Sequence, residues 1–348
     1  MNERLAWLAR SLEAAIDPEL PICDPHHHLW DLPGSRYLTD ELLADLGAGH
    51  RVTSTVFVEC EQQYRVDGPV ELRPVGETEF VEQLATANER RGSVTRIAAG
   101  IVGFADLTLG AAVQPVLEAH QQASRRFRGV RHVSAWDASD QIRKSHKHPP
   151  RFLLRSPEFR AGLACLTRLG LSFDAWVYHP QIPELTELAA AMPDTTIIFD
   201  HMGGPLGVGP YAAARASVFA EWRANMAQLA LCPNVVVKLG GRTMTMSGFG
   251  WHKRAAPPSS VELAEAMGPY YRSCIELFGA RRCMFESNWP MDSPSCSYTT
   301  LWNAFKRLAR EYNPAERAAL LHDTAMRVYR LESQDTTRSG SQSSSSNT

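Results

Sequence analysis

The sequence lacks the features that would place it in several large classes of protein. No apolar run approaches the roughly 20 residues needed to cross a bilayer, and the N-terminal stretch MNERLAWLARSLEAAI is charged and amphipathic, without a signal peptide's apolar region. The formal net charge is only -2 at pH 7, so no excess of positive charge would attract a nucleic-acid backbone or an anionic membrane. We therefore expect a cytoplasmic protein that acts on a small molecule, with neither nucleic acid nor a membrane as its partner.

Two further patterns are missing. The seven cysteines are odd in number, scattered and never spaced as CxxC, which argues against a disulfide scaffold and against a zinc finger, so we expect mostly buried thiols. The glycine-rich stretch GGPLGVGP at 203–210 has neither the GxGxxG nor the Walker spacing, so it does not predict a dinucleotide or phosphate loop.

What the sequence does contain is a regular alternation of short apolar, β-branched runs with longer segments of helical period. Eight such runs and no intervening linker predict a single (β/α)₈ barrel of the TIM type over residues 20–331. We expect residues 1–19 to form a helical extension, residues 313–331 an extra C-terminal helix, and the Ser/Thr-rich residues 332–348 a disordered tail. The strand candidates are residues 20–23, 51–59, 96–104, 127–134, 171–178, 195–200, 234–240 and 282–287.

Polar residues gather where the predicted strands end. In CDPHHHLWD, at 23–31, the alternation of strand side chains places His26 and His28 on one side and the histidine between them on the other. His179 follows the fifth strand candidate, His201 follows the sixth, and FESNWPMD follows the eighth. In this fold the C-terminal strand ends share one face, where active sites lie, so we predict an active site there.

Several of these motifs resemble those of a known family. DPHHHLWD, FDHMGGP and RCMFESNWPMD resemble the strand-one, strand-six and strand-eight motifs of the amidohydrolase-related (amidohydrolase-2) family. Within that family, residues 56–80 and 234–241 are most similar to the lactonase-like group that includes 2-pyrone-4,6-dicarboxylate lactonase and sugar-acid lactonases. The resemblance implies a barrel with its site at the C-terminal face and either lactone hydrolysis or, in sister enzymes, nonoxidative decarboxylation.

The resemblance also implies roles for individual histidines. His26 and His28 match the family's HxH pair of metal ligands, and His179 stands where the strand-five ligand is expected. His201 matches the strand-six histidine, which polarises a carbonyl or handles a proton. The resemblance therefore implies a divalent metal, with zinc the expected ion. Bound zinc would lower the pKa of water to about 7, which removes the need for a strong base.

The strand-eight motif departs from the family pattern at one position. Asn288 stands where the family usually carries an aspartate that binds the metal and acts as general base. An amide cannot act as a base and brings no negative charge, so a metal-free site stays open as an alternative. Glu286, on the same side of the strand, and Asp292, in the loop, are the candidate replacements. The alternative role for Glu286 is to fix a histidine tautomer.

Substrate binding is expected from cations and aromatic side chains at the strand ends and in the loops that follow them. Arginine and lysine suit an anionic group of the substrate, and the alternative is ion pairing inside the barrel, such as Glu59 with Arg131 or Lys238. The aromatic side chains either form the walls of a pocket or contribute packing alone. The candidate substrate-binding residues are Glu59, Tyr64, Arg131, Tyr178, Lys238, Arg242 and Trp251.

These observations favour a hydrolase that opens a lactone or a related cyclic ester with an activated water molecule. Its substrate is expected to be an anionic cyclic ester or acid. The alternative is a metal-dependent nonoxidative decarboxylase or C–C hydrolase of an aromatic or cyclic acid. The sequence leaves the oligomeric state open, with a homodimer as the candidate.

Overall fold

The computed structural model describes residues 3–143 and 147–332. Eight parallel strands pair in the order β1-β4-β5-β6-β7-β8-β9-β10 and form a nearly closed barrel surrounded by helices, which confirms the predicted fold. The ring closes between β10 and β1, where the His28 amide donates to the Trp289 carbonyl at 2.8 Å. The strands are β1 (Ile22–His27), β2 (Trp30–Leu32), β3 (Ser35–Tyr37), β4 (Val52–Val58), β5 (Arg96–Gly103), β6 (Phe127–Arg131), β7 (Ser172–Ala175), β8 (Ile197–Phe199), β9 (Val235–Leu239) and β10 (Cys283–Phe285).

The helices lie outside the barrel and cover its apolar outer surface. Nearly every residue of the barrel strands is therefore buried, since each strand lies between the covering helices and the barrel interior. The helices are α1 (Glu3–Leu8), α2 (Thr39–Leu46), α3 (Val75–Arg90), α4 (Gln114–Ala123), α5 (Pro157–Arg168), α6 (Ile182–Ala191), α7 (Arg215–Leu229), α8 (Ser260–Phe278), α9 (Tyr298–Ala309), α10 (Pro314–Ala318) and α11 (Thr324–Val328).

The first strand-to-helix connection contains elements that the sequence analysis did not identify. The hairpin β2–β3 and helix α2 follow β1 directly. Within this connection, Asp45 accepts hydrogen bonds from the Tyr37 hydroxyl at 2.8 Å and from the Trp289 indole at 2.7 Å. The insertion therefore links the first strand end to the last.

The N-terminal segment contains less helix than predicted, whereas the predicted C-terminal helix is present. From residue 3 onward, where the structure describes it, the N-terminal extension is helical over α1 and a short 3₁₀ turn at Ala9–Ser11, and the following residues to β1 form no helix or strand. The extra C-terminal helix is present as α10, a π-helical turn at Ala319–Asp323, and α11. Apart from Glu332, the expected disordered tail lies outside the described residues.

The prediction of mostly buried thiols is confirmed, because all seven cysteines are free and all but Cys60 are buried. Among the described residues, no helix combines the length and apolar character that a membrane span requires.

Candidate active site

The two outer histidines of the opening motif meet at the C-terminal end of β1. Their Nε2 atoms are 3.3 Å apart, and both rings are buried. His28 Nδ1–H donates to the Val58 carbonyl at 2.7 Å, which leaves the lone pair on Nε2 facing His26. His27 points elsewhere, with its Nε2 2.9 Å from the Thr55 hydroxyl. The geometry therefore agrees with the strand alternation used to separate these side chains.

Glu286, just beyond β10, lies between two histidines. Its Oε1 accepts from His201 Nδ1 at 2.6 Å, and its Oε2 is 2.8 Å from His26 Nδ1. His201 Nε2 makes no hydrogen bond to the part of the chain that the structure describes. This Glu286–His201 pair has the arrangement in which a carboxylate orients an imidazole whose second nitrogen is left for chemistry.

Two glycines after β9 make room for this pair. A Cβ atom at Gly240 would overlap Glu286 Cγ, and a Cβ atom at Gly241 would lie 2.7 Å from His201 Cγ. Gly241 also has a φ of 68°, in the left-handed region that favours glycine. The sequence KLGG is thus needed for close approach to the Glu286–His201 pair.

The protonation of Glu286 follows from its partners. Burial alone would raise the pKa of this carboxyl, but His201 and His26 outweigh burial and lower the pKa to about 2. A carboxylate that binds protons so weakly is a poor general base at neutral pH. The structure therefore favours the tautomer-fixing role for Glu286 over the general-base role.

A charged network fills the barrel interior beneath the histidines. The Lys238 ammonium lies 2.7 Å from Asp174 Oδ2, 2.9 Å from Asp200 Oδ1 and 3.2 Å from His26 Nδ1. Burial lowers the pKa of Lys238, but the two aspartates outweigh this effect and raise it above its ordinary value. Lys238, predicted to bind substrate, is fully buried in an internal ion pair.

Arg131 forms a second internal ion pair. Its Nε donates to Glu59 Oε1 at 2.9 Å, its Nη2 donates to the Glu59 carbonyl, and its Nη1 is 3.4 Å from His26 Nε2. This is the ion-pairing alternative stated above for Glu59 and Arg131. The partners come from the end of β4 and from β6, which are alternate strands and therefore contribute to one interior layer of the barrel.

The buried network carries more negative than positive charge. Burial and the Lys238 ammonium lower the pKa of His26 far below its ordinary range, and burial and the Arg131 guanidinium do the same for His28. Both histidines are therefore neutral at pH 7. Four carboxyl side chains then face two cationic side chains, so acidic groups outnumber basic groups in this network, and buried charges require compensation. The carboxylates are Glu59, Asp174, Asp200 and Glu286, and the cations are Arg131 and Lys238.

This excess of negative charge fits a divalent cation. Ligand atoms of His26, Asp200 and His201 all lie within 4.8 Å of one another. Asp200 Oδ2 is buried and makes no hydrogen bond to the described residues. The 3.3 Å between His26 Nε2 and His28 Nε2 is also the spacing of two nitrogens bound about 2.0–2.1 Å from one tetrahedral ion. The residues present are therefore compatible with a divalent metal.

Asn288 and Asp292 interact with each other beside this network. The Asn288 amide donates to Asp292 Oδ2, and the Thr243 hydroxyl donates to Asp292 Oδ1. Burial, aided by Glu286, raises the pKa of Asp292 to about 6. Both oxygens of Asp292 are already hydrogen-bonded, so its carboxylate is less available for proton transfer than the free Nε2 of His201.

The structure does not bring His179 into the metal-compatible group. β7 ends at Ala175, and His179 opens a 3₁₀ turn, where its Nδ1 accepts from the Leu206 amide at 3.3 Å and its ring packs on Tyr211 at 5.0 Å. The chain leaves the strand before His179, so strand alternation does not aim this side chain at His26. Asp200 occupies the third position of the group instead.

The loop candidates for substrate binding are mostly held by the protein itself. The Arg242 guanidinium is buried, donates to the Pro205 carbonyl at 2.5 Å and lies 4.2 Å from the Tyr270 ring centroid. Trp251 stacks on Phe249 with ring centroids 4.3 Å apart. These contacts organise the loops after β8 and β9.

The two tyrosine candidates also contact loops. The Tyr178 hydroxyl donates to the Arg143 carbonyl at 2.7 Å, which fixes part of the long loop after β6. Tyr64 is half-buried, with its hydroxyl 3.4 Å from Lys147 Nζ. Their predicted contacts with substrate stay predictions.

Three residues of the site were missed by the sequence analysis. Asp174 and Asp200 anchor the charged network, and Trp176 packs edge-on against His201 with ring centroids 4.7 Å apart. A signal existed for the aspartates, because each is a lone carboxylate within or directly after an apolar barrel strand, where an unpaired charge is costly.

Comparisons with known proteins agree with this architecture. The family model described as Amidohydrolase matches residues 23–331. An uncharacterized protein of Sinorhizobium fredii is 33% identical over 90% of this chain and 99% of its own length. L-fucono-1,5-lactonase of Burkholderia multivorans is 27% identical over 73% of this chain and 77% of its own length. The crystal structure of an amidohydrolase from Burkholderia multivorans with bound zinc is 25% identical, with a TM-score of 0.69, over 89% of this chain and 99% of that chain.

Proposed function

The chain belongs to the amidohydrolase family, and from that premise we propose that it hydrolyses a lactone with His201 as the general base. The observation that carries this proposal is the 2.6 Å contact between Glu286 and His201 Nδ1, which leaves His201 Nε2 available. The names of related lactonases support a cyclic ester as the substrate class. A lactone of a sugar acid is the substrate we propose.

In the proposed reaction, His201 Nε2 accepts a proton from water as the water oxygen attacks the lactone carbonyl carbon. Arg131 supplies a fixed positive charge beside His26, which stabilises the oxyanion of the tetrahedral intermediate. The ring C–O bond then breaks, and His201 returns its proton to the departing alkoxide oxygen. The product is the open-chain hydroxy acid, with no net change at the protein.

A divalent metal fits this site, and zinc is the ion we propose. His26 and His28 would hold it through Nε2, and its charge would offset the excess of buried carboxylates. When bound, it supplies a Lewis acid and lowers the pKa of water. Elemental analysis of the purified protein tests this part of the proposal: about one zinc per chain supports it, and less than about a tenth contradicts it.

The function itself is tested on a panel of five- and six-membered sugar-acid lactones and a pyrone dicarboxylate lactone, with acid release followed by a pH indicator. We expect turnover of at least one sugar-acid lactone, and His201→Gln should reduce kcat by about 10²–10⁴-fold. His50→Gln, which replaces a buried histidine bonded to the Thr299 carbonyl, is the matched control. No turnover of any lactone by the wild-type protein, or full activity of His201→Gln, would contradict the proposal. Carbon dioxide release from an aromatic acid would instead indicate the decarboxylase alternative.

A further inference from the structure

The C-terminal helix and the residues after it pack near the starts of barrel strands: the Ser54 hydroxyl donates to Met326 Sδ at 3.4 Å, and the Arg96 guanidinium donates to the Glu332 carbonyl at 2.6 Å. The side chains of Ala325, Val328 and Leu331 join an apolar cluster of residues from the barrel strands. The strand members of this cluster are Cys23, Val56, Val58, Ala99, Val102, Ile198, Val236 and Met284. This end of the barrel is opposite to the strand ends that carry the histidines.

One polar atom of the C-terminal segment extends beyond this apolar cluster. Tyr329 directly follows α11 and is fully buried, and its hydroxyl donates to Asp174 Oδ2 at 2.6 Å. The same oxygen of Asp174 receives the Lys238 ammonium at 2.7 Å, while Asp174 Oδ1 makes no hydrogen bond to the described residues. Tyr329 and Lys238 therefore share a single acceptor atom.

Lys238 connects this acceptor to the candidate active site. Its ammonium lies 2.9 Å from Asp200 Oδ1 and 3.2 Å from His26 Nδ1. From the Tyr329 hydroxyl to the His26 ring there are thus three consecutive polar contacts, all between fully buried side chains. Buried hydrogen-bonded networks of this kind act as a unit, because each member sets the position of the next.

We propose that Tyr329 is a positioning residue, through which the C-terminal helix sets the position of His26. Without the hydroxyl, Asp174 Oδ2 would keep Lys238 as its only donor, and its less compensated charge would attract the ammonium away from His26 and Asp200. The apolar cluster does not need the hydroxyl, since a phenylalanine would fill the same space. The effect on catalysis rests on the proposed function, whereas the effect on His26 does not.

The test compares Tyr329→Phe with Tyr271→Phe in the full chain. Tyr271 is also fully buried, and within the described residues its hydroxyl hydrogen-bonds to a weak acceptor, the sulfur of Met267 at 3.6 Å. With the lactone that the wild-type protein hydrolyses best, Tyr329→Phe should lower kcat by about ten- to a hundredfold and change KM by less than about twofold. Tyr271→Phe should stay within about twofold of the wild type in both constants.

A second readout does not depend on activity. In protein with ¹⁵N-labelled histidine rings and a chelator in the buffer, the His26 ring signals, identified by their loss in His26→Gln, should shift in Tyr329→Phe. The His26 signals should not shift in Tyr271→Phe. The His120 ring signals serve as an internal control and should not shift in either variant, because His120 bonds to Thr78 and to the Phe104 carbonyl, outside the network. Unmoved His26 signals in Tyr329→Phe overturn the proposal. If the wild-type protein hydrolyses no lactone, the proposed function fails, and the His26 signals alone decide whether Tyr329 positions His26.

Discussion

Replacement of Glu286 by glutamine tests the Glu286–His201 pair most directly. The amide keeps the size of the side chain and can still accept a hydrogen bond from His201, but it removes the negative charge that both histidines contact at 2.6 and 2.8 Å. The imidazole then loses the charge that fixes its tautomer and stabilises its protonated form during the reaction. We expect kcat to fall by about 10²–10⁴-fold while the fold persists.

The structure also gives a magnitude for the stability effect. The pKa of Glu286 falls from an ordinary value of 4.5 to about 2 because His201 and His26 outweigh burial. At 1.36 kcal/mol per unit, the ionised carboxylate contributes on the order of 3 kcal/mol to the free energy of unfolding. A depressed acid pKa stabilises the folded state above the unfolded pKa, so the contribution is present above pH 4.5 and is lost as the pH falls towards 2.

Two assays separate this interpretation from its alternatives. Urea denaturation should show Glu286→Gln to be less stable than the wild type by about 3 kcal/mol at pH 7, with the difference shrinking below pH 4.5. In kinetics, the double variant Glu286→Gln/His201→Gln should be no slower than His201→Gln, because the pair acts as one unit. Glu184→Gln, a buried glutamate that accepts from the Leu154 amide at 2.8 Å, is the control.

The reasoning is refuted if Glu286→Gln keeps kcat within about threefold of the wild type. It is also refuted if Asp292→Asn, rather than Glu286→Gln, causes the large loss, because Asp292 would then be the base. Additive losses in the double variant would show that Glu286 and His201 act separately.

Two further predictions concern a glycine beside the Glu286–His201 pair and a buried acid. Gly240→Ala should reduce kcat by at least about tenfold, because the new methyl group would overlap Glu286 Cγ. The control is Gly100→Ala, whose methyl group would come no nearer than 3.1 Å to its nearest neighbour, Leu331 Cδ2. Steady-state kinetics of both variants tests this prediction. Burial, aided by Glu59, raises the pKa of Glu77 to about 8. Between pH 4.5 and 8 this carboxyl therefore ionises in the unfolded chain but not in the folded protein, so the wild type loses stability as the pH rises. The stability of Glu77→Gln relative to the wild type should increase over the same range. Thermal unfolding at several pH values measures this difference, and a Tm difference that does not change with pH contradicts it.

The barrel could be predicted from the sequence because its signal is local. Each strand is a short apolar run, and each run is followed by a segment of helical period, so eight repeats identify the fold without any long-range information. The same local rule predicts that His26 and His28 share a side of β1, and the structure places their Nε2 atoms 3.3 Å apart. The hairpin β2–β3 was missed because three-residue strands are too short to show a period.

The charged network could not be predicted in the same way. Lys238 contacts Asp174 and His26, which are separated from it by 64 and 212 residues in the chain, and these contacts depend on how barrel closure brings the strand interiors together. His179 shows where the alternation rule stops applying. The rule predicts the direction of a side chain only within a strand, and β7 ends at Ala175, before His179. Strand ends therefore indicate which face carries the site, but not which polar groups pair across it.

The position of the carboxylate after β10 explains why the base is assigned to a histidine. The resemblance leads us to expect an aspartate at position 288, whereas this chain has Asn288 and carries the charge two residues earlier, at Glu286. The Glu286 side chain passes Gly240 and contacts the Nδ1 atoms of His26 and His201. A carboxylate whose pKa is held near 2 is a poor acceptor for a proton from water at neutral pH. Proton transfer then falls to His201, whose Nε2 the same contact leaves available.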